Sequence, residues 1–267
     1  MAAQARRVWD RQLLRNPHEA SDKRARVQRM FAAIAPSYDL NNRLHSLWQD
    51  QQWRKRAVEL ARLKPADVVV DVACGTGDLA MKFADAGAAR VVGVDFTFEM
   101  LRVAGQKQQI GAEASEVERG RVGASGGQPG ITFINGDALS LPLADACCDV
   151  VSIAFGIRNV QDPARALAEF RRVLRPGGRL IVLEFSLPTN RLLRSLYNFY
   201  FRRVLPLTAT LISGDKTGAY KYLPESVNTF IGRSQMLQMM ERAGFSSAEA
   251  HPLTFGVCVC YRGVVRG

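Results

Sequence analysis

The chain has 267 residues, of which 47% are hydrophobic and 23% are charged. This length suits one domain with a substantial core and is too short for two large domains. The formal net charge of +11 favours nucleic acid, an anionic membrane surface or an acidic substrate as a partner, although a solvated arginine-rich surface explains it equally well.

The cysteines and histidines give no sign of a metal site or a disulfide framework. The five cysteines are odd in number and fit no zinc template, so we predict no metal and a reducing, cytoplasmic location. No apolar segment of the kind found in secretory signals follows Arg7. The longest apolar stretch, Leu192–Ile212, is interrupted by three arginines and a proline and is therefore not predicted to cross a membrane.

The N-terminal part of the chain is basic and predicted to be helical. Residues 1–64 contain fourteen Lys and Arg against six Asp and Glu. Val27, Met30, Phe31 and Ile34 recur at helical spacing, and a second helix is predicted from Trp48–Leu63. We therefore treat 1–64 as a helical lid and 65–267 as the main domain.

The remainder of the chain alternates between strands and helices. Strands are predicted at Val68–Val72, Arg90–Asp95, Ile131–Ile134, Cys148–Ile153 and Arg179–Phe185, with a closing antiparallel pair at Ala248–Pro252 and Phe255–Tyr261. Helices are predicted at Leu79–Ala86, from near Phe98 and at Pro163–Leu174. This alternation predicts a doubly wound, Rossmann-like α/β fold whose seven-stranded sheet is mostly parallel, with an antiparallel last strand.

Two stretches do not follow the alternation. Residues 111–130 are rich in Gly, Glu, Ser and Ala, which predicts a flexible surface insertion without a chemical role. Residues 186–230 are aromatic, leucine-rich and basic, and we predict that they form a lid over the substrate.

A glycine-containing turn follows the first strand and leads into a helix. Gly75 and Gly77 allow a ligand to approach the backbone closely. Together with Ala80 they also satisfy the G-x-G-x-x-A pattern, so a nicotinamide dinucleotide stays an alternative at this point.

Acidic residues lie at or near the carboxyl ends of three successive strands. Asp71 is suited to a cationic amino group, Asp95 to the two hydroxyls of a ribose, and Asp137 to an adenine amino group. Helix capping or a surface ion pair is the alternative role for Asp71 and Asp95, and Thr76 can both cap the next helix and touch a cofactor. The combination favours S-adenosylmethionine (SAM), which carries an amino acid, a sulfonium, a ribose and an adenine.

Several segments together resemble the ubiquinone/menaquinone biosynthesis C-methyltransferase family. The SAM loop, Asp71–Leu79, is shared by many methyltransferases. More specific are Ala154–Val160, which contains Phe-Gly-Ile-Arg-Asn-Val, and Leu183–Ser186, which reads Leu-Glu-Phe-Ser. The similarity spans about residues 27–262 and also includes Met30–Asp39, Arg172–Gly178 and Tyr220–Ser226.

The resemblance implies a class I SAM-dependent methyltransferase that methylates a ring carbon of a prenylated hydroquinone. It implies SAM contacts at Thr76, Asp95, Asp137 and Ala138. Demethylmenaquinol is favoured as the substrate, with the corresponding ubiquinol precursor left open. The chain departs from the family pattern with Arg175 in place of Lys, Asn41 in place of Met and Ala154 in place of a Ser found in some members.

Three residues are candidates for the chemistry itself. Arg158 lies just beyond the fourth strand, where a cation can stabilise a developing phenolate, although an ion pair that packs this loop is the simpler role. Tyr38 and Asp39 of the N-terminal lid can orient the substrate or relay a proton.

The alternatives are an oxygen- or nitrogen-methylating enzyme for a small metabolite, a nucleic-acid methyltransferase, and a SAM- or nucleotide-binding module without activity. We predict no nucleic-acid partner, because Ala-Phe-Gly-Ile-Arg-Asn stands where base methyltransferases commonly have Asn-Pro-Pro-Tyr. The stretch from Leu192 to Leu205 suits either a helix on the inner face of the membrane or an internal lid. The sequence leaves the oligomeric state open, a homodimer included.

Overall fold

The structure is a computed structural model that describes residues 8–10, 12–122, 130–215 and 217–266, with only the helical backbone described for 114–122. In the described part of the chain three α-helices precede the first strand: α1 (Lys23–Ile34), α2 (Tyr38–Ser46) and α3 (Gln49–Ala61). No helix among the described residues is long and apolar enough to cross a membrane.

Strands and helices then alternate as the sequence predicts. The first half comprises β1 (Val68–Val72), α4 (Asp78–Asp85), β2 (Arg90–Asp95), α5 (Phe98–Val122) and β3 (Ile131–Asn135). The second half begins with β4 (Cys148–Ala154), α6 (Pro163–Val173) and β5 (Leu174–Phe185). It continues with α7 (Arg191–Phe199), a π-helical turn (Tyr200–Val204), α8 (Leu205–Ser213), α9 (Ala219–Asn228), α10 (Arg233–Arg242), β6 (Phe245–Leu253) and β7 (Cys258–Val265).

The seven strands form one sheet in the order β3-β2-β1-β4-β5-β7-β6. All neighbours are parallel except those of β7, which is antiparallel to both β5 and β6. The predicted fold class is therefore confirmed. The chain winds to one side from β1 and to the other from β4, so a crevice opens between their carboxyl ends, where α/β proteins bind ligands.

Apolar side chains cover both faces of the sheet. On one face α6 and α10 contribute Leu167, Phe170 and Met240. On the other, α3 and α4 contribute residues such as Trp53 and Phe83. The helix α3 is thus part of the layer that covers the sheet, although it lies within residues 1–64; the predicted boundary at residue 64 stays a prediction.

A third apolar cluster lies above the carboxyl edge of the sheet. It joins the N-terminal segment to residues 186–230 through buried residues such as Met30, Ile34, Tyr197, Phe201 and Tyr222. These two segments pack against each other and together cover the crevice.

The expectation of a flexible insertion at 111–130 is wrong for its first part. The helix α5 continues to Val122, because Ala, Glu and Arg, which favour helices, outnumber the glycines in this stretch. Residues 123–129 lie outside the described part of the chain.

Candidate active site

A first cavity lies at the carboxyl ends of β1, β2, β3 and β4. The turn after β1 enters it through Gly75, which has a φ of +56° and open space where a side chain would stand. Gly77 has a φ of +82°, and a Cβ there would lie 2.9 Å from Cζ of Phe133. The turn therefore needs glycine at both positions, at Gly77 for close packing and at Gly75 for its left-handed backbone and access to the cavity.

Asp95 holds this turn in place and faces the cavity. Its two carboxylate oxygens accept hydrogen bonds from the backbone N–H of Gly75 (2.9 Å) and of Thr97 (2.7 Å). Burial raises the pKa of Asp95 to about 6. Each oxygen keeps a further lone pair, so the carboxylate can also accept two ribose hydroxyls.

The other end of the cavity combines apolar walls with Asp137. Phe96, Met100, Ala138 and Leu139 line this end. The carboxylate of Asp137 accepts from the backbone N–H of Leu139 at 3.0 Å and forms an ion pair with Arg24 of α1 at 2.8 Å. This end combines apolar walls with hydrogen-bonding groups, which suits an adenine. Of the four apolar residues only Ala138 was predicted, because Phe96 and Met100 follow no motif.

Asp71 lies beneath the turn and is absent from the lining of the cavity. It is 1% exposed, accepts from Ser152 Oγ at 2.6 Å, and its Oδ2 has no partner among the described residues. Burial raises its pKa to about 7. Asp71 thus lies near the carboxyl edge of the sheet, as predicted, but its side chain binds Ser152 of β4 and does not reach the cavity.

Thr76 and Asp39 bind each other instead of facing a cavity. Thr76 Oγ1 donates to Asp39 Oδ1 at 2.6 Å, and Lys107 Nζ lies 2.7 Å from the other oxygen of Asp39. Lys107 also pairs with Asp78 at 2.5 Å, and Arg43 of α2 binds Asp78 at 2.8 Å. The helix α2 is thereby attached to the turn that holds the first cavity.

A second cavity of about 440 Å³ adjoins the first. Its walls are mainly apolar and come largely from α1, α2, α3, α7, the π-helical turn, α8 and α9. Phe31, Tyr38 and Phe155 line both cavities, so the two meet at these rings. His45 is the only one of the three histidines among its lining residues, and its Nδ1 lies 3.2 Å from Tyr200 Oη.

Arg158 lines the second cavity and is held in a buried ion pair. Its Nη1 lies 2.6 Å from Glu184 Oε1 and donates to the carbonyl of Phe155 at 2.7 Å. Its Nε donates to Ser226 Oγ at 3.3 Å. The guanidinium is therefore fixed in orientation, and its charge is balanced by one carboxylate.

Arg54 is a cavity residue that sequence reasoning missed. It lies on α3 next to the core residue Trp53, four residues after Asp50, and lines the second cavity. The sequence reads as a solvated basic run, Arg54–Arg56, but Arg54 shares its helical face with Ala57 and Ala61, which are fully buried. That spacing was the available signal. No group of His, Cys, Asp or Glu that could hold a metal occurs among the described residues.

The raised pKa of Asp71 predicts a pH-dependent stability in the absence of SAM. A carboxyl whose pKa is raised by folding stabilises the folded state below its unfolded pKa and loses that contribution as the pH rises through the folded value, here about 7. We expect the free energy of unfolding of Asp71→Asn to rise relative to that of the wild type, by up to about 1.4 kcal/mol per pH unit between about pH 5 and 7. Urea unfolding of both proteins across this range tests this; a constant difference would contradict it.

Comparison with known proteins agrees with this geometry. The sequence profile of the ubiE/COQ5 methyltransferase family matches residues 19–265. A demethylmenaquinone methyltransferase of Thermus thermophilus is 46% identical over 88% of this chain and 99% of its own length. The ubiquinone/menaquinone biosynthesis C-methyltransferase UbiE of Syntrophotalea carbinolica is 47% identical over 88% of this chain and 92% of its own.

Solved structures share the fold at low sequence identity. A Thermotoga maritima SAM-dependent methyltransferase superposes with a TM-score of 0.58 at 20% identity, covering 89% of this chain and 99% of its own. A putative methyltransferase from a Haloferax volcanii complex with Trm112 gives 0.58 at 18% identity over 89% and 98%. These similarities support the fold alone. With the profile match and the relatives above, the chain belongs to the ubiE/COQ5 methyltransferase family.

Proposed function

We propose that this SAM-dependent methyltransferase methylates a ring carbon of a prenylated quinol in menaquinone or ubiquinone biosynthesis, with demethylmenaquinol as the favoured substrate. The observation that carries the proposal is the meeting of two unlike cavities at Tyr38 and Phe155. One has the groups that suit SAM, and the other is large and mainly apolar. The names of the related proteins from Thermus thermophilus and Syntrophotalea carbinolica support the same reaction.

We assign the first cavity to SAM. Asp95 would accept the ribose hydroxyls, Asp137 and Ala138 would bind the adenine, and Gly75 would lie against the amino-acid part. The turn itself would be supported by residues that do not touch SAM. Asp71 contacts Ser152, Thr76 contacts Asp39, and Gly77 packs against Phe133. Arg24 already pairs with the carboxylate of Asp137, so it must either share this carboxylate with the adenine or move away when SAM binds.

We assign the second cavity to the quinol ring and the first part of its prenyl chain. About 440 Å³ of apolar space suits a bicyclic ring with a short length of isoprenoid. The lid is then the N-terminal helices together with residues 186–230, whose buried aromatic side chains Tyr197 and Phe201 face this space. A small hydrophilic metabolite would have no use for these walls.

When bound, SAM supplies an electrophilic methyl group on sulfur. The ring carbon forms the new bond to that methyl group, and the S–CH₃ bond breaks with its electron pair remaining on sulfur. The quinol hydroxyl loses its proton as this bond forms. The ring carbon then loses its own hydrogen as a proton while the oxygen regains one, so the aromatic quinol is restored and one proton is released in all. The enzyme contributes by holding the ring in line with the methyl group and excluding water.

Arg158 and Tyr38 are the proposed groups at the quinol oxygens. Arg158 would stabilise negative charge there, with Glu184 fixing the direction of its guanidinium. Burial raises the pKa of Tyr38, while Arg54 and Arg158 act in the opposite direction, so the phenol is a hydrogen-bond donor at neutral pH. Asp39 would act through Thr76 and the position of α2, because both of its oxygens are already bound.

The lid presents a second, outward face that suits an anionic bilayer. The exposed apolar residues of this region include Leu192, Leu196, Phe199, Leu207 and Leu211. Leu40 and Leu44 on α2, which packs against α8, and Leu47 just after α2 are exposed as well. Four arginines, Arg191, Arg194, Arg202 and Arg203, lie along the same segment. We propose that this face contacts the inner side of the membrane, where the prenyl chain of the substrate resides.

We expect Leu196→Asp and Leu211→Asp each to weaken partition into vesicles that contain anionic lipid by about tenfold or more, because each removes a leucine from the apolar phase. Ile110→Asp, at an exposed apolar position on α5, is the matched control. Vesicle sedimentation at low salt measures the partition. Equal partition of all three variants would exclude this face as the contact.

The substrate is identified with purified enzyme, methyl-labelled SAM and two reduced lipids, demethylmenaquinol and the demethylated ubiquinol precursor. We expect label in the lipid fraction with demethylmenaquinol, and label with the second lipid would show that one enzyme serves both rings. If the enzyme binds SAM but labels neither lipid, the alternative of an oxygen- or nitrogen-methylating enzyme for a small metabolite would become the better-supported function.

A further inference from the structure

A second buried arginine faces the proposed quinol site. Arg54 of α3 is 5% exposed and lines the larger cavity beside Tyr38 and Phe155. Its guanidinium carbon lies 5.2 Å from the centre of the Phe155 ring, and Phe155 also lines the SAM cavity. Arg54 therefore lies at the end of the substrate cavity where the two cavities meet.

Most of the hydrogen-bonding capacity of Arg54 is unused. Both of its hydrogen bonds come from Nη1, to the carbonyl oxygen of Asp50 at 3.2 Å and to its Oδ2 at 2.9 Å. Nε has no partner, and Nη2 donates to no residue in the described part of the chain. A guanidinium carries five N–H groups, and a buried one is stable when these are satisfied. A bound ligand with an anionic oxygen would supply the missing acceptor.

The charge of Arg54 is also less completely balanced by its direct partner than that of Arg158. Among the described residues Glu184 pairs with Arg158 alone, whereas Asp50 is shared between Arg54 and Arg43 and also accepts from Ser46 and Gln51. The carboxylates of Asp71 and Asp78 also interact with Arg54 through space. Arg54 thus shares its direct counter-ion and has an unpaired Nε, whereas Arg158 has a carboxylate of its own and donates from Nε to Ser226.

We propose that Arg54 is a catalytic residue whose guanidinium donates a hydrogen bond to the quinol oxygen next to the ring carbon that is methylated. This assignment rests on the proposed function. As the hydroxyl proton leaves, Arg54 stabilises the phenolate, whose electron density passes to the ring carbon and forms the bond to the methyl group. Sulfur takes the electron pair of the broken S–CH₃ bond, and Arg54 keeps its own protons throughout.

The charged and titratable groups around Arg54 come from several elements. They include Tyr38, Arg43 and His45 on α2, Asp50 on α3, Asp71 near the end of β1, Asp78 on α4, Arg158 after β4 and Cys258 on β7. Loss of Arg54 leaves Asp50 paired with Arg43, so the α2–α3 junction keeps one ion pair.

The test compares Arg54→Gln and Arg54→Lys with the wild type, using Arg56→Gln as a matched control. Arg56 lies two residues further along α3 in an exposed ion pair with Glu59. Four quantities are measured for each protein: the melting temperature, the dissociation constant for SAM, KM for the quinol, and kcat from pH 6 to 10.

We expect Arg54→Gln to lower kcat at neutral pH by about 100-fold and to move the rising limb of the kcat profile to higher pH by about one unit or more. SAM affinity should stay within about twofold, because Arg54 does not line the SAM cavity. Arg54→Lys keeps the charge, so the rising limb of its kcat profile should stay at the wild-type pH and its kcat should be within about tenfold of the wild-type value. Arg56→Gln should match the wild type.

Four results would overturn the assignment. If Arg54→Gln folds and the rising limb of its kcat profile stays at the wild-type pH, Arg54 has only a structural role. Equal losses of kcat in the Gln and Lys variants would lead to the same conclusion. A tenfold loss of SAM affinity would place the guanidinium on the carboxylate of SAM instead. Absence of quinol methylation by the wild type would overturn the proposed function and this assignment together, whereas wild-type activity with an unshifted variant overturns the Arg54 role alone.

Discussion

Replacing Arg158 with leucine is expected to lower the free energy of unfolding by about 3–5 kcal/mol. The change leaves Glu184, which is 1% exposed, without its counter-ion, and also removes the donor to the Phe155 carbonyl. Burial already raises the pKa of Glu184, and removing Arg158 would raise it further. Urea unfolding at pH 7.5 measures the loss.

The double variant Arg158→Leu/Glu184→Leu is the control that separates the ion pair from simple packing. Removing both charges together avoids the unpaired carboxylate, so we expect the double variant to recover most of the stability lost by the single one. Both variants should be inactive if Arg158 contacts the quinol. A single variant within about 1 kcal/mol of the wild type, or a double variant no more stable than the single one, would contradict this account of the loop after β4.

Asp95→Ala is expected to weaken SAM binding by about 100-fold or more. The variant loses two charge-assisted hydrogen bonds to the ribose, each worth about 1.5–3 kcal/mol. It also frees the backbone N–H groups of Gly75 and Thr97, so the turn that meets the amino-acid part of SAM loses its support. Isothermal titration calorimetry with SAM measures the dissociation constant.

Asp149→Ala is the matched control for Asp95. Asp149 also accepts from a strand backbone, the N–H of Val68 at 2.9 Å, but it lies near the start of β4 and therefore at the opposite edge of the sheet. Its loss should destabilise the fold and leave SAM affinity within about twofold. If the two variants bound SAM equally, the first cavity would not be the SAM site.

Two central strands were predictable because each is a short run rich in β-branched residues that leads into a turn. Val68–Val72 and Arg90–Asp95 show this pattern, and they pair as neighbours in the structure. The extent of α5 was missed because a composition rich in Gly, Ser and Glu resembles that of a loop. Its alanines, glutamates and arginines favour a helix more strongly than those glycines oppose it.

For the site, sequence reasoning located the edge of the sheet but not the direction of each side chain. Asp71 and Asp95 both lie near the end of a predicted strand, yet only Asp95 lines the cavity. Asp71 pairs in register with Gly93, two residues before Asp95, and turns towards Ser152. The same limit applies to Asp39, whose partners Thr76 and Lys107 are 37 and 68 residues away. Contacts over such separations depend on the fold and leave no local pattern.

The two predictions for residues 192–205, an internal lid and a membrane-facing helix, would concern opposite sides of one segment. Tyr197, Phe201 and Leu205 are buried against the cavity, while Leu192, Leu196 and Phe199 are exposed. The π-helical turn at Tyr200–Val204 places both sides on one continuous element. A substrate with a polar ring and an apolar tail would contact the buried side with its ring and the exposed side with its tail.

The position of the transferred methyl group tests the central claim most directly. The enzyme is incubated with SAM carrying ¹³C in its methyl group and with demethylmenaquinol or the oxidised quinone in parallel, and the product is analysed by NMR. The account predicts a ¹³C methyl group attached to a ring carbon, formed from the reduced lipid and not from the oxidised one. A methyl group on oxygen, or equal methylation of both redox forms, would contradict it.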